Sequence, residues 1–181
     1  RPHGTLADVR PWLETLMSSP VPDELPEVPE SLLAVLRATP AVCQSWSEEY
    51  PLKRIQQKPG AHEWSVNEVL WHLADTEREN YLPQWQKLNN DPNTLVTPPN
   101  TSTWAKDRYY QTKTPHDAID AFLKARKQSL GLVEQLIEKG LFDITVQHTT
   151  FSQTTIAELI AFTARHDSLH LNQCANLLNI C

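Results

Sequence analysis

Two histidines, His166 and His170, lie four residues apart near the end of the chain. On a helix this spacing places both imidazoles on one face, one turn apart, where they can bind a single metal ion. The apolar residues Ile156, Leu159 and Ile160 recur at helical spacing, and the continuation of their stripe falls on the two histidines. We therefore predict that both imidazoles point into the protein, where an unpartnered polar ring is costly.

A third histidine, His72, lies beside the apolar stripe of an earlier predicted helix. In a helical bundle that helix would lie against the one that carries His166 and His170. Three imidazoles leave a coordination position open, which is typical of a catalytic metal site and not of a closed structural one. The alternative is that the histidines hydrogen-bond to buried partners or lie at a wet end of the bundle. Position 167 is Asp, so the metalloprotease pattern HExxH is absent.

Three polar residues lie about one turn from these histidines and could accept the second ring N–H of a ligating imidazole. Glu68 precedes His72 by four residues, and Asp75 follows it by three. Gln173 follows His170 by three. Each of the three is equally explained as a solvated or capping residue, and Glu68 already belongs to a predicted capping box.

The elements that would position these residues are predicted to be helices. The chain has only four glycines, and its apolar residues recur mostly at helical spacing, so an all-α protein is expected. We predict a four-helix bundle with a long crossover loop, residues 89–114, between helices two and three. Helix one starts at Glu30 and is expected to be kinked or split at Pro40, and a bend is expected in helix two at Pro83. The four predicted helices start near Glu30, Ser65, Thr114 and Thr155.

By its length of 181 residues the chain is one domain. Residues 1–29 form a predicted proline-rich acidic arm, with a short helix around Leu6 to Met17. Residues 30–181 form the bundle, including an extended segment at 142–150 that is predicted to make a small hairpin. The chain begins at Arg1 without a methionine, so we expect the native N terminus to be processed or to lie upstream.

Charge and cysteine content exclude several classes of protein. A net charge of −6 without a basic cluster argues against nucleic-acid binding. The sequence contains no run of about twenty apolar residues, so no membrane span is predicted. Cys43, Cys174 and Cys181 lack metal-site or disulfide-framework spacing, so reduced thiols and a cytoplasmic location are expected.

Three segments of the chain resemble the DinB/YfiT-like superfamily, which is distinct from the DNA polymerase of similar name. They are WSVNEVLWHLADTERE at 64–79, the Trp-Ala-x-x-Arg-Tyr pattern at 104–109 and HDSLHLNQ at 166–173. The resemblance covers roughly residues 63–178 and implies a metal-binding four-helix bundle. It also implies a divalent metal, commonly zinc or nickel, on His72, His166 and His170.

Members of this superfamily often dimerise, so the resemblance implies a homodimer. It also implies a small-molecule substrate. It implies metal-dependent hydrolysis, or transfer that depends on a low-molecular-weight thiol as cofactor. The alternatives are a non-catalytic bundle that the metal only stabilises, and a bundle without metal.

Each reaction would need a further group near the metal. The carboxylates available as a general base for hydrolysis are Glu68, Asp75 and Asp167. The arginines available to bind the carboxylates of a thiol, each equally explained as a surface charge, are Arg78, Arg108 and Arg165.

Overall fold

The computed structural model describes residues 29–179, so the predicted arm, with its helix around Leu6 to Met17, lies outside the described residues apart from residue 29. The elements, in chain order, are α1 (Pro29–Glu49), α2 (Leu52–Ile55), α3 (Val66–Thr76), a π-helical turn (Glu77–Tyr81), α4 (Leu82–Asn90), α5 (Trp104–Asp107), a 3-10 turn (Tyr110–Thr112), α6 (Pro115–Glu138), β1 (Thr145–His148), β2 (Ser152–Thr155) and α7 (Ile156–Leu178).

The long helical segments pack as a four-helix bundle, so the predicted all-α fold class is confirmed. Helix α1 packs on α6 and α7, and α3 packs on the same two helices. Large apolar side chains such as Leu70 and Phe122 fill one part of the core, and Trp85, Leu136 and Ile160 fill the other. No helix among residues 29–179 is both long and apolar enough to cross a membrane.

Side-chain caps define the starts of three of these helices, as their sequences predict. Ser65 and Glu68 form a reciprocal capping box before α3, and Thr155 does the same with Glu158 before α7. Thr114 caps α6, whose first residue is Pro115. Because a cap depends only on residues three apart, these starts are predictable from sequence.

Pro40 lies inside α1 without splitting it, because α1 runs unbroken from Pro29 to Glu49. Proline has no backbone N–H, so the carbonyl four residues earlier, that of Leu36, loses its helical donor. The guanidinium of Arg126 on α6 donates a hydrogen bond to that carbonyl at 2.9 Å. The group that the proline leaves unpaired is thus satisfied by a different helix.

The second helical segment continues through Pro83 but contains the π-helical turn Glu77–Tyr81 just before it. Pro83 lies just after this turn and has no backbone N–H to donate within the helix. A π turn adds one residue to a helical turn and re-aims the side chains that follow, and such turns are frequent at functional sites. Here both ends of the turn, Glu77 and Tyr81, are buried.

The crossover loop and the hairpin meet at one end of the bundle. Strands β1 and β2 pair in antiparallel fashion from Thr145 with Thr155 to His148 with Ser152. Strand β1 lies within the predicted extended segment at 142–150, and β2 follows that segment. Val96 of the crossover loop makes a parallel bridge to His148. The loop is therefore anchored, and it carries the short helix α5 with Trp104.

Candidate metal centre

His72 of α3 and both histidines of α7, His166 and His170, converge in the structure. One ligand nitrogen from each lies within 4.8 Å of the others. Nε2 of His72 is 3.2 Å from Nε2 of His166. Two nitrogens that bind one tetrahedral zinc at its usual bond length are about 3.3–3.4 Å apart, so the His72 and His166 nitrogens are spaced as metal ligands are.

The helix patterns explain why the rings meet. Every residue of α3 is buried, including His72, which is only 5% exposed. On α7 the apolar stripe through Ile156 and Ile160 is buried, and the two histidines that continue it are half-buried. Because α3 packs against α7, the edge of one stripe meets the end of the other.

The ring nitrogens are only partly satisfied by protein groups. Nδ1 of His170 donates to Oε1 of Gln173 at 2.9 Å, which leaves Nε2 of that ring with its lone pair. Nδ1 of His72 and Nδ1 of His166 have no hydrogen-bond partner in the described part of the chain. Nε2 of His72 and Nε2 of His166 face each other, and with the lone pair on Nε2 of His170 they form a set of three nitrogens that could bind one metal ion.

Burial lowers the pKa of all three imidazoles. It holds the pKa of His72 and that of His166 well below 6.5, and neighbouring histidines lower both further. For His170 burial also lowers the pKa, although the hydrogen bond to Gln173 and the charge of Asp167 act in the opposite direction. The three rings are therefore neutral near pH 7, which is the form that binds metal.

Two aromatic residues form the walls of the centre. The Trp64 ring lies 5.0 Å from that of His72 and stacks on His170 at 6.3 Å. Tyr81, at the end of the π turn, presents its ring at 77° to His166, with 5.6 Å between centroids. Burial raises the pKa of Tyr81 well above its usual range, so this side chain remains a neutral phenol.

Glu68 makes its contacts at the start of α3 and not at the histidines. Its Oε2 accepts a hydrogen bond from the Ser65 backbone N–H at 2.8 Å, and its Oε1 is 3.1 Å from the ammonium of Lys58. The capping role that the sequence predicts is therefore the one that its contacts show.

Asp75 holds the crossover loop to α3. Its Oδ2 accepts hydrogen bonds from Tyr110 and Arg108, each at 2.7 Å, and its Oδ1 accepts one from Arg78 at 2.8 Å. No hydrogen bond joins Asp75 or Glu68 to His72 among the described residues. Of the three polar neighbours predicted from sequence, Gln173 alone is hydrogen-bonded to a histidine of the cluster there.

Two of the three arginines that the sequence offers for binding a thiol are also paired. Arg108 makes two hydrogen bonds to Glu79, at 2.7 and 2.8 Å, and its guanidinium stacks on Trp104. Arg108 and Arg78 together lower the pKa of Glu79 to about 2. This cluster fixes the conformation of the loop.

One buried charge cluster was missed by the sequence analysis. Arg126 of α6 donates to Asp167 at 2.6 and 3.1 Å and to Glu77 at 2.7 Å, and all three side chains are almost completely buried. A signal was present, because Arg126 follows Phe122 by four residues and so occupies a core position of its helix. An arginine at a core position needs buried acceptors.

The fold and the site together define a helical bundle with a three-histidine centre between two of its helices. The sequence model of the DinB superfamily matches residues 31–174 of the chain. The chain therefore belongs to the DinB superfamily, which confirms the resemblance found in its sequence.

Two similar proteins come from Bacillus subtilis. The uncharacterized protein YuaE of strain 168 is 26% identical over 145 residues, which cover 72% of this chain and 88% of YuaE. The solved structure of YfiT superposes with a TM-score of 0.73 at 19% identity, covering 87% of this chain and 90% of YfiT. YfiT is described as "a probable metal-dependent hydrolase with an unusual four-helix bundle topology".

Proposed function

We propose that this protein is a metal-dependent hydrolase of a small-molecule substrate, with a divalent metal held by His72, His166 and His170. The observation that carries the proposal is the convergence of three neutral imidazoles with no fourth His, Cys, Asp or Glu in the cluster among residues 29–179. Three protein ligands and an open position are the arrangement of catalytic metal sites. The description of YfiT as a probable metal-dependent hydrolase supports the same reaction class.

A divalent ion in this site would supply Lewis-acid chemistry, polarising a substrate oxygen and lowering the pKa of water. The side chains of the protein supply the rest. Gln173 fixes the tautomer of His170, and burial keeps all three rings unprotonated. Trp64 and Tyr81 pack their aromatic rings against His72 and His166 and help to hold them in place.

The other assignments that the superfamily resemblance implies remain part of the proposal. The metal is zinc or nickel, which both suit imidazole ligands. A homodimer and a cytoplasmic location remain predictions. A thiol-dependent transferase is the second reaction class, but Arg78 and Arg108 are already paired with carboxylates, so neither offers a free cation for a thiol cofactor.

Metal content is the first test of the proposal. Purified protein should contain about one divalent ion per chain by mass spectrometry of the metal, and His166→Ala and His170→Ala should lose it. His116→Ala is the control, because the side chain of His116 is 81% exposed and lies on another helix. Full metal retention in both site variants would remove the basis for the proposed centre.

Hydrolysis is the second test. Ester, amide and phosphoester substrates would be screened with the metal-loaded protein, after chelation, and after the metal is added back. Hydrolysis that disappears with chelation and returns with the metal would support the hydrolase assignment. Metal binding without turnover of any substrate class would favour the non-catalytic alternative, in which the metal only stabilises the bundle.

A further inference from the structure

Among the described residues, a hydrogen bond to a residue outside the cluster holds one of the three histidine rings but not the other two. His170 has Gln173 as its acceptor, whereas Nδ1 of His166 and Nδ1 of His72 have no partner among the described residues. A metal ligand is usually oriented by a hydrogen bond to its second nitrogen. The orientation of His166 must therefore come from the backbone and the packing around it.

The two segments that set this packing are both attached to Arg126. Asp167 is next to His166 on α7 and accepts two hydrogen bonds from the guanidinium. Glu77 begins the π turn and accepts a third at 2.7 Å, and Tyr81 at the end of that turn packs its ring against His166. The arginine thus connects the backbone beside His166 with the residue that contacts its ring.

A third attachment fixes the arginine itself. Nη1 of Arg126 also donates to the Leu36 carbonyl of α1, the group left without a helical donor by Pro40. A planar guanidinium with donors in fixed directions can serve three acceptors at once, which an ammonium on a flexible stem does less well. The cluster therefore ties α1, α6, α7 and the π turn together at one point.

Stability alone is a weak reason for such a cluster. Removing three charges from water costs about as much as their attraction returns, and apolar replacements of buried ion pairs are often equally stable or more so. What the cluster provides is a defined geometry. The cluster also carries two carboxylates against one guanidinium, a net negative charge close to a site for a divalent cation.

We propose that Arg126, held by Glu77, Asp167 and the Leu36 carbonyl, is a positioning residue that sets the geometry of the metal centre through His166. This inference rests on the proposed metal binding by the three histidines. It assigns to Arg126 no contact with metal or substrate.

Cobalt(II) binding tests the proposal, because its visible spectrum reports ligand geometry separately from protein stability. Arg126→Lys keeps the charge but not the three-way contact, so we expect cobalt affinity to fall about 10- to 100-fold. The absorption bands should also shift at saturating cobalt. Arg37→Lys is the matched control, since Arg37 also joins α1 to α6, through an exposed ion pair with Glu134. This substitution should leave the cobalt affinity and the absorption bands unchanged.

Asp167→Asn is the second variant and is used if Arg126→Lys does not fold, as judged by circular dichroism. It should lower the affinity and shift the bands in the same way. Wild-type affinity and spectrum in a folded variant would overturn the positioning role, even if its urea stability falls. Unfolding of both variants would assign the cluster to the fold alone and also overturn it. A wild-type protein that binds no cobalt would overturn this inference and the proposed metal centre together.

Discussion

Acidification should destabilise the metal-free protein strongly, because its buried imidazoles resist protonation. Burial holds the folded-state pKa of His72 and of His166 well below 6.5, the value to which both return on unfolding. Below about pH 6.5 the unfolded state therefore binds protons that the folded state does not. The stabilising contribution of these neutral rings is present above that pH and is lost as the pH falls through it.

The size of the effect follows from the linkage between proton binding and folding. At about pH 5.5, one unit below the unfolded pKa, each ring that stays neutral costs about 1.4 kcal/mol. His72 and His166 together therefore remove about 3 kcal/mol, and His170 adds to this loss because its pKa is also lowered. Whole domains are stable by about 5–15 kcal/mol, so the loss is easily measured. Folding lowers the pKa of Glu79 from 4.5 to about 2, so its stabilising contribution is lost only below about pH 4.5, outside this window.

Urea unfolding of the chelated protein, followed at about pH 7.5 and about pH 5.5, measures this loss. The double variant His72→Leu, His166→Leu should lose about 3 kcal/mol less than the wild type over the same interval. His116→Ala, which removes an exposed imidazole, should behave as the wild type. Burial also lowers the pKa of His148, but His148 is present in all three proteins and therefore does not affect the comparison. A wild-type stability that does not fall, or a double variant that falls as steeply, would refute the reasoning.

Three further predictions concern single contacts. Gln173→Leu removes the hydrogen-bond acceptor of His170 and should lower metal affinity about 10-fold or more in a metal competition titration, with little change in urea stability. Ser65→Ala removes the side-chain cap of α3 and should cost about 1–2 kcal/mol in urea unfolding. Arg108→Met leaves the buried carboxylate of Asp75 without one of its charged donors and should cost about 1.5–3 kcal/mol in the same assay.

Matched substitutions at exposed positions control for each of these changes. Asn172→Leu makes the same kind of replacement on the exposed face of α7 and should not alter metal affinity. Ser45 is exposed near the C-terminal end of α1, where it caps no helix start, so Ser45→Ala should not destabilise the protein. Arg37→Met breaks an exposed ion pair, which contributes little to stability. If a control substitution changes metal affinity or stability as much as the variant it is paired with, the named contact is not the cause of the change.

The sequence was sufficient for the four long helical segments and for the convergence of the histidines, because both follow from local patterns, but not for the short helices α2 and α5. A cap is read from residues three apart, and a stripe predicts which face of a helix is buried. His72 lies beside one stripe and His166 continues another, so packing the stripes brings the rings together. The π turn, in contrast, depends on how Glu77 and Tyr81 are buried against other helices, which no local pattern describes.

Pro40 and Arg126 each depart from the pattern of the helix that contains them, and the two departures together are more informative than either alone. A proline within a predicted helix suggests a kink or a break, and an arginine within an apolar stripe suggests a surface residue or an error in the stripe. In the structure each accounts for the other: the proline leaves the Leu36 carbonyl without its helical donor, and the arginine fills that place. A buried guanidinium needs acceptors, and a helix-interior proline leaves one available. Two such exceptions on neighbouring helices therefore predict a contact, and here that contact lies in the cluster that holds the residue beside His166.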